Sequence, residues 1–350
     1  MQRTYFLGGA SPSGFRTDFW NAHRSDYGYY LKGGPGTGKS TLMKKVAAAF
    51  SGERVSCWHC ASDPQSLDAV VLEDRGVFIA DATAPHEAST PLPFVTGETV
   101  DLAAGLLPEQ LRENRAEILR LYQENQAAHL QARKGIAGIA ELEAIIADAA
   151  GSALLTEKLM SYAARLCRRL LPKTGGQPVS PCYRQSMALT PDGFIRYLPE
   201  GFDLMLIQDP FRAAGAFLLN QLADAAAESG TVCEITQALT RPDTPPVMLI
   251  LPQQRLILAA VTDSAPSDLQ VPVSCIRMQR FYDADLLRRH RALIRFSSKT
   301  AAVTTQKVIA LLADALRIHD ELESYYIAAL DHAFLDQTAA RIIADIQSRG

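Results

Sequence analysis

The sequence predicts an α/β protein made of two similar halves in tandem, each with a mostly parallel sheet and a helical extension. Apolar runs suited to buried strands alternate with turn-rich loops and helix-forming segments, the order typical of α/β domains. Segments of the first half also recur in the second half at a nearly constant spacing. Widely spaced matches at one offset, about half the chain length, indicate a tandem duplication.

Three pairs of segments carry this repeat, at offsets of 179, 181 and 180 residues: 10–15 with 189–194, 82–85 with 262–266, and 141–143 with 321–323. The stretch 173–181 is rich in glycine and proline and is interpreted as a linker. The first domain is therefore predicted to span 1–172, with a helical extension at about 106–170. The second domain is predicted to span 182–350 and to end in a helical extension of its own.

The composition limits the possible partners and the compartment. With 350 residues, of which 47% are hydrophobic, the chain can form two cores. Its formal net charge of −3 gives no overall attraction to nucleic acid. No apolar run reaches the roughly 20 residues of a membrane-spanning helix, and the N-terminus lacks a secretory signal. Six cysteines do not make a disulfide scaffold at this length, so we expect a cytoplasmic protein without a membrane span.

One glycine-rich segment points to a specific ligand. Residues 33–40 read Gly-Gly-Pro-Gly-Thr-Gly-Lys-Ser and fit the phosphate-loop pattern G-x-x-x-x-G-K-[ST]. The apolar run 27–31 precedes it and is typical of a buried strand, and the helix-forming run 41–50 follows it. Strand, glycine loop and helix occur in the required order, which predicts binding of a nucleoside triphosphate.

The residue types in this loop match what a triphosphate requires. Glycines let successive N–H groups turn towards phosphate oxygens, at the positive end of the following helix. Lys39 is expected to reach the β- and γ-phosphates, Ser40 to bind Mg²⁺ and Thr41 to contact the α-phosphate. The predicted nucleotide-binding residues are Gly33, Gly34, Pro35, Gly36, Thr37, Gly38, Lys39, Ser40 and Thr41.

A metal-bound triphosphate also needs a carboxylate at the end of a nearby strand. The apolar run 77–80 ends in Asp81, which we expect to hold Mg²⁺ together with Ser40, directly or through water. The alternative is a strand-terminal aspartate that caps a turn.

A second predicted strand, at 54–60, opens into a loop that contains Asp63 and is followed by Asp68. Ligands of open α/β sheets lie at the carboxyl ends of the strands, so Asp63, Asp68 and His59 are placed to contact nucleotide or an acceptor. Asp63 could equally be the N-cap of a helix that begins at Pro64.

The second half lacks an intact copy of the loop. Residues 206–215 fall opposite the first loop but have lost most of its glycines and its lysine. Asp209 and Phe211 are expected to repel or obstruct a phosphate, so this loop is predicted to be degenerate. Arg212 is interpreted as a solvated surface residue, with a reach into the first site as the alternative.

At this point the chain resembles a poorly characterised bacterial family of tandem, two-domain P-loop ATPases. The resemblance rests on five segments: 31–41, 59–64, 66–68, 81–86, and 319–323 with 326–327. It implies ATP binding and hydrolysis, and it makes Asp63, Asp68, Asp81 and His86 the next candidates after the loop, without assigning their roles. Both halves can carry a loop in that family, and this chain departs from the pattern in its second half.

The preferred function is binding and hydrolysis of ATP with Mg²⁺ at one site in the first half. Lys39 and the loop amides would stabilise the phosphoryl charge, Ser40 and Asp81 would hold the metal, and Asp63 or His86 would orient the attacking water. One alternative is a small-molecule or nucleotide kinase, with the segment at about 106–170 as a lid. Another is a non-catalytic sensor that uses nucleotide to dock a protein partner. The absence of an N-K-x-D guanine motif favours ATP over GTP.

Overall fold

The structure is a computed structural model that describes residues 3–17, 19–22, 25–172, 177–240, 246–262 and 273–349. Part of the predicted linker, 173–176, and part of one repeated segment, 263–266, lie outside the described residues.

The first half contains these strands: β1 (Arg3–Phe6), β2 (Gly8–Ser11), β3 (Gly14–Thr17), β4 (Tyr27–Lys32), β5 (Val55–His59), β6 (Leu67–Leu72), β7 (Val77–Asp81) and β8 (Gly97–Asp101). Its helices are α1 (Phe19–Ala22), α2 (Lys39–Ala49), α3 (Pro108–Glu113), α4 (Arg115–Gly151) and α5 (Thr156–Leu170), with a 3₁₀ turn at Leu102–Gly105. The helices α3 to α5 lie within the predicted helical extension.

The second half contains these strands: β9 (Cys182–Tyr183), β10 (Met187–Thr190), β11 (Gly193–Arg196), β12 (Asp203–Gln208), β13 (Glu234–Gln237), β14 (Pro246–Leu251), β15 (Leu256–Val261) and β16 (Val273–Arg277). Its helices are α6 (Ala214–Glu228), α7 (Ala284–Ala328) and α8 (His332–Ser348), with a 3₁₀ turn at Met278–Phe281.

Each half forms a six-stranded sheet, and the two sheets share one strand order. The first sheet runs β1-β5-β6-β7-β4-β8 and the second runs β9-β13-β14-β15-β12-β16. In both sheets the third strand of the order is antiparallel to its two neighbours, and the other pairs are parallel. The structure thus confirms an α/β fold with two mostly parallel sheets.

The repeated segment near the start of each half is a β-hairpin. Strands β2 and β3 pair in the first half, and β10 and β11 pair in the second. In the first turn Ser11 Oγ donates to Gly14 O over 2.8 Å, and in the second Thr190 Oγ1 donates to Gly193 O over 2.9 Å. The repeat read from the sequence therefore corresponds to the same local structure in both halves.

The two long helices, α4 and α7, pack against each other in antiparallel directions. Leu121 near the start of α4 contacts Leu322 near the end of α7, whereas Ile139 further along α4 packs in the cluster that contains Val308. Their apolar residues recur at helical spacing, so each helix buries one stripe on the other. This antiparallel pair of helices joins the two halves.

The last helix of each half packs on the other half. In α5, Leu159, Ala163 and Leu166 recur at helical spacing and enter the core beside Leu218 and Leu222 of α6.

In the opposite direction α8 covers the first half. Its residues Leu335, Ala339 and Ile342 enter the core that contains Leu42 and Met43 of α2. The domain limits at 172 and 182 stay a prediction. The packing crosses these limits, because the core of each half includes a helix from the other side of the linker. Among the described residues, no helix combines the length and apolarity that crossing a membrane requires.

Candidate functional site

The first loop (residues 33–40) connects the carboxyl end of β4 to the first residues of α2. Gly36 and Gly38 have φ angles of 68° and 81°, in the left-handed region that side chains with a Cβ rarely adopt. Thr37 is buried, and its Oγ1 donates to Gly34 O over 2.9 Å, which closes the turn. The strand, loop and helix are in the predicted order.

Lys39 is folded back onto its own loop. Its Nζ donates to Gly33 O over 2.9 Å and to Gly34 O over 2.7 Å, and it lies 3.6 Å from Asp81 Oδ2. These are weak, replaceable partners for a cation, because phosphate oxygens carry more negative charge than peptide carbonyls. The lysine is therefore held at the loop and beside the predicted metal carboxylate.

Asp81 lies at the end of β7, opposite Leu31 of the parallel strand β4. Its Oδ1 accepts hydrogen bonds from Thr83 N, over 2.8 Å, and from Thr83 Oγ1. Asp81 thus caps the turn that follows the strand, as the alternative interpretation predicts, while Oδ2 faces Lys39. The turn cap is therefore observed, and the metal-binding role of Asp81 stays a prediction.

Ser40 lies in the first turn of α2, and its Oγ accepts a hydrogen bond from Leu67 N over 3.0 Å. Within the described residues, no group of three or more His, Cys, Asp or Glu side chains forms a metal cluster. A magnesium ion that bridges phosphates does not need one, because phosphate and water oxygens complete its octahedral shell.

Asp68 joins the site because β6 runs antiparallel to its neighbours. Its first residues therefore lie at the same sheet edge as the last residues of β5 and β7. Burial, followed by the nearby charge of Asp81, raises the pKa of the Asp68 carboxyl to about 7. His86 Nε2 lies 3.5 Å from Asp68 Oδ2, and burial lowers the pKa of this imidazole.

His86 is also the predicted site residue with an unused polar atom. Its Nδ1 is buried and has no hydrogen-bond partner among the described residues. The Phe15 ring and the imidazole pack in a T-shaped arrangement, with 4.6 Å between ring centroids. A buried ring nitrogen without a partner costs stability, so it is a candidate contact for a ligand or an ordered water.

Asp63 is engaged in its own turn. Its Oδ1 accepts from Gln65 N over 3.1 Å, and its carbonyl accepts from Ser66 N over 2.9 Å. No helix begins at Pro64, so the N-cap interpretation is wrong: Asp63 caps a turn of the chain that leads into β6. Nearby, His59 Nδ1 is hydrogen-bonded to Pro64 O over 2.8 Å.

Helix α7 of the second half lies directly over the first loop. Glu323 Oε1 accepts a hydrogen bond from Gly36 N over 3.0 Å. A Cβ on Gly36 would lie 2.7 Å from Glu323 O, and one on Gly34 would lie 3.3 Å from the Tyr326 ring. Gly36 is therefore required by the helix above it as well as by the turn, whereas a Cβ on Gly34 would only press on the Tyr326 ring.

The sequence assigned no role to Glu323 beyond its place in a repeated segment that also carries the family resemblance. That segment was the available signal, since the equivalent Glu143 lies over the second loop. There Glu143 Oε1 lies 3.0 Å from Arg212 Nη2. Arg212 is an exposed residue, as the preferred interpretation predicted, and its guanidinium pairs with the carboxylate over its own loop instead of reaching the first site.

The second loop (residues 209–213) is filled by its own carboxylate. Asp209 Oδ1 accepts from Phe211 N over 3.1 Å, and Oδ2 accepts from Gly215 N over 2.8 Å. The Tyr282 hydroxyl lies 3.0 Å from both oxygens, and the Asp209 residue is 2% exposed. The amides that a phosphate would need already have a carboxyl group as their partner, which agrees with the prediction that this loop is degenerate.

The chain matches no protein-family model, no curated protein and no solved structure. Its function is therefore inferred from the geometry of the first loop and of the residues around it.

Proposed function

We propose that the chain binds a nucleoside triphosphate, preferably ATP with Mg²⁺, at the first loop and hydrolyses it. The observation that carries this proposal is the position of Lys39. It starts α2 directly after a glycine loop, and its Nζ lies 3.6 Å from Asp81 at the end of the adjacent parallel strand. A phosphate-binding lysine beside a metal-binding carboxylate is the arrangement that P-loop NTPases use.

The residues around the loop suit both ligands. Backbone amides at a helix N-terminus bind phosphate, and Lys39 can exchange its carbonyl partners for phosphate oxygens. Ser40 and Asp81 supply the hard oxygen ligands that Mg²⁺ prefers. The bound metal would neutralise charge that develops on the phosphoryl oxygens. We also propose that the chain is related to the tandem P-loop ATPases that its motifs resemble, a proposal supported by the shared strand order of its two sheets.

Hydrolysis further needs a group that orients the attacking water. Of the two candidates named from the sequence, His86 is favoured over Asp63. The Asp63 carboxylate already accepts a hydrogen bond in its own turn, whereas His86 Nδ1 is buried without a partner in the described residues. Asp68, 3.5 Å from the other ring nitrogen, would hold the imidazole in place.

The kinase alternative expects the segment at about 106–170 to act as a lid over the loop, and the position of that segment does not support this role. In the part of the chain that the structure describes, the neighbours of Gly34, Gly36 and Gly38 from outside the loop belong to α7 and α8, not to the segment at about 106–170. That segment packs along α7 and on the second half instead.

The test is release of γ-labelled phosphate from ATP or GTP with Mg²⁺, measured for the native chain, Lys39→Ala and Lys44→Ala. Lys44 is an exposed lysine on the same helix and serves as the matched control. Release that is lost only in Lys39→Ala supports the proposal. Thermal shift on the same samples measures binding, since ligand at about 100 times its dissociation constant adds roughly 2.7 kcal/mol.

Two other outcomes would change the conclusion. Nucleotide binding without phosphate release would favour the sensor, or a kinase that lacks its acceptor. If neither ATP nor GTP binds, the loop does not have the function proposed for it.

A further inference from the structure

One amide of the first loop is already occupied by an anion from the other half of the chain. Gly36 N donates to Glu323 Oε1 over 3.0 Å, and the same oxygen lies 3.2 Å from His319 Nε2, one helical turn earlier on α7. Glu323 is half-buried, and the pairing with His319 lowers the pKa of its carboxyl. The group that faces Gly36 is therefore a carboxylate at neutral pH.

This contact competes with the proposed ligand. Phosphate loops bind phosphate by turning consecutive backbone N–H groups towards its oxygens, and Gly36 lies in the middle of the loop in the left-handed conformation that such a turn requires. A carboxylate and a phosphate repel each other at close range in a partly dry site. They cannot both accept from Gly36.

We infer that Glu323 holds the first loop in an autoinhibited state by taking the Gly36 amide, and that a bound triphosphate displaces it. This inference rests on the proposed binding of nucleotide at this loop. In effect the second half supplies a residue that lowers the nucleotide affinity of the first half.

The displaced carboxylate has another partner nearby. His319 and Glu323 are four residues apart on one helix, a spacing at which side chains meet. Glu323 can therefore give up the Gly36 amide and keep the imidazole. Without such a partner, release would leave a half-buried charge unpaired and would oppose nucleotide binding more strongly.

Displacement at this end of α7 is connected to the second half. Tyr326, one turn after Glu323, packs against Gly34 and Gly36, so a nucleotide that moves the carboxylate also disturbs this packing. The helix runs without a break back to Ala284, two residues after Tyr282, which hydrogen-bonds Asp209 in the second loop. The helix thus links the proposed nucleotide site to the filled loop of the other half.

The second loop provides an internal comparison. There the equivalent glutamate, Glu143, is paired with the Arg212 side chain, a permanent cation that no nucleotide replaces. In the first loop the equivalent position is Gly36, which offers only its N–H. The contact in the first half is reversible for this reason, and Glu143 is the matched control.

The experiment measures the dissociation constant of the β,γ-imido analogue of ATP with Mg²⁺ by calorimetry. The full chain is compared with Glu323→Gln, Glu323→Ala and Glu143→Gln, and the melting temperature of each variant checks that it is folded. Glu323→Gln keeps the shape of the side chain and removes its charge. We expect both Glu323 variants to bind about tenfold more tightly than the native chain, and Glu143→Gln to be unchanged.

If Glu323 served folding alone, its replacement would leave the affinity for the analogue unchanged or lower it. Unchanged or weaker binding by folded Glu323→Gln therefore overturns the inference. The proposed nucleotide binding would still stand in that case. Tight binding by the Glu323 variants with none by the native chain supports the inference in its strongest form. If no variant binds the analogue, both the proposed function and the inference fail.

Discussion

Gly36 and Arg212 occupy equivalent places in the two loops, and both have φ angles in the left-handed region, 68° and 63°. Each lies below a glutamate of the long helix from the opposite half. In the first loop the glutamate meets a bare amide, and in the second it meets a guanidinium. Besides the other differences between the two loops, the glutamate therefore has a backbone partner in the first and a charged side-chain partner in the second.

Gly36→Ala is expected to destabilise the protein by about 1–3 kcal/mol, because its Cβ would sit 2.7 Å from Glu323 O on a backbone that disfavours any Cβ. Gly138→Ala is the control: Gly138 is an exposed helical position with nothing within 4 Å of the added atom. That change should stabilise by about 0.5–1 kcal/mol. Urea unfolding of both variants measures the difference, and equal effects would contradict the packing of α7 on the loop.

Lys39→Ala and Asp81→Asn should affect different steps. Loss of the lysine removes the positive charge from the phosphates and should lower kcat by about a hundredfold or more. Loss of the carboxylate should raise the Mg²⁺ concentration needed for half-maximal activity by about tenfold.

Both variants are followed by phosphate release over a magnesium titration. Asp74→Asn, an exposed aspartate after β6, is the control and should leave both parameters unchanged. An unaltered magnesium requirement in Asp81→Asn would remove Asp81 from the metal site.

The stability of the protein should depend on pH through Asp68. Its pKa in the folded chain is raised from 3.8 to about 7, so the folded state binds more protons than the unfolded state between these values. The free energy of unfolding should therefore fall as pH rises from about 4 to about 7, by about 4 kcal/mol if the whole shift is expressed.

Asp68→Asn removes this titration, so its stability relative to the native chain should increase across the same interval. Urea unfolding at several pH values, with a chelator present to exclude metal, measures the difference between the two proteins. A constant difference across the interval would show that Asp68 is not a buried, uncharged carboxyl.

The packing of α5 on the second half and of α8 on the first half can be tested by substitutions that leave a cavity in each core. Ile342→Ala in α8 should cost about 2–5 kcal/mol, because the side chain is fully buried in the core of the first half. Native-state hydrogen exchange should then accelerate in α2 of the first half. Leu159→Ala in α5 should instead accelerate exchange in α6 of the second half.

Leu293→Ala on α7 serves as the surface control, since this leucine is 46% exposed. Its loss should lower the free energy of unfolding by less than about 1 kcal/mol. If hydrogen exchange accelerates only in the half that carries the mutation, the packing of each last helix on the opposite half is contradicted.

Much of the site could be predicted because its signals are local. The run from Gly33 to Ser40 specifies a turn, a helix start and a lysine within eight consecutive residues, and the strand and helix around it follow from neighbouring residues. Asp81 was predictable for the same reason, as the residue that ends an apolar strand. Asp63 shows the limit of such reasoning, since a turn and a helix N-cap use the same aspartate and the same following proline.

By itself, then, the sequence determined the α/β class, the repeat of two halves and the position of the first loop, because periodicity and loop geometry depend on residues close together in the chain. Only the tertiary structure decided that Glu323 accepts a hydrogen bond from the Gly36 amide and that α5 and α8 each pack on the opposite half. Gly36 and Glu323 are 287 residues apart, and nothing in the local preference of either residue encodes their meeting. Such contacts arise when amphipathic helices bury their apolar stripes on whichever surface the whole fold presents to them.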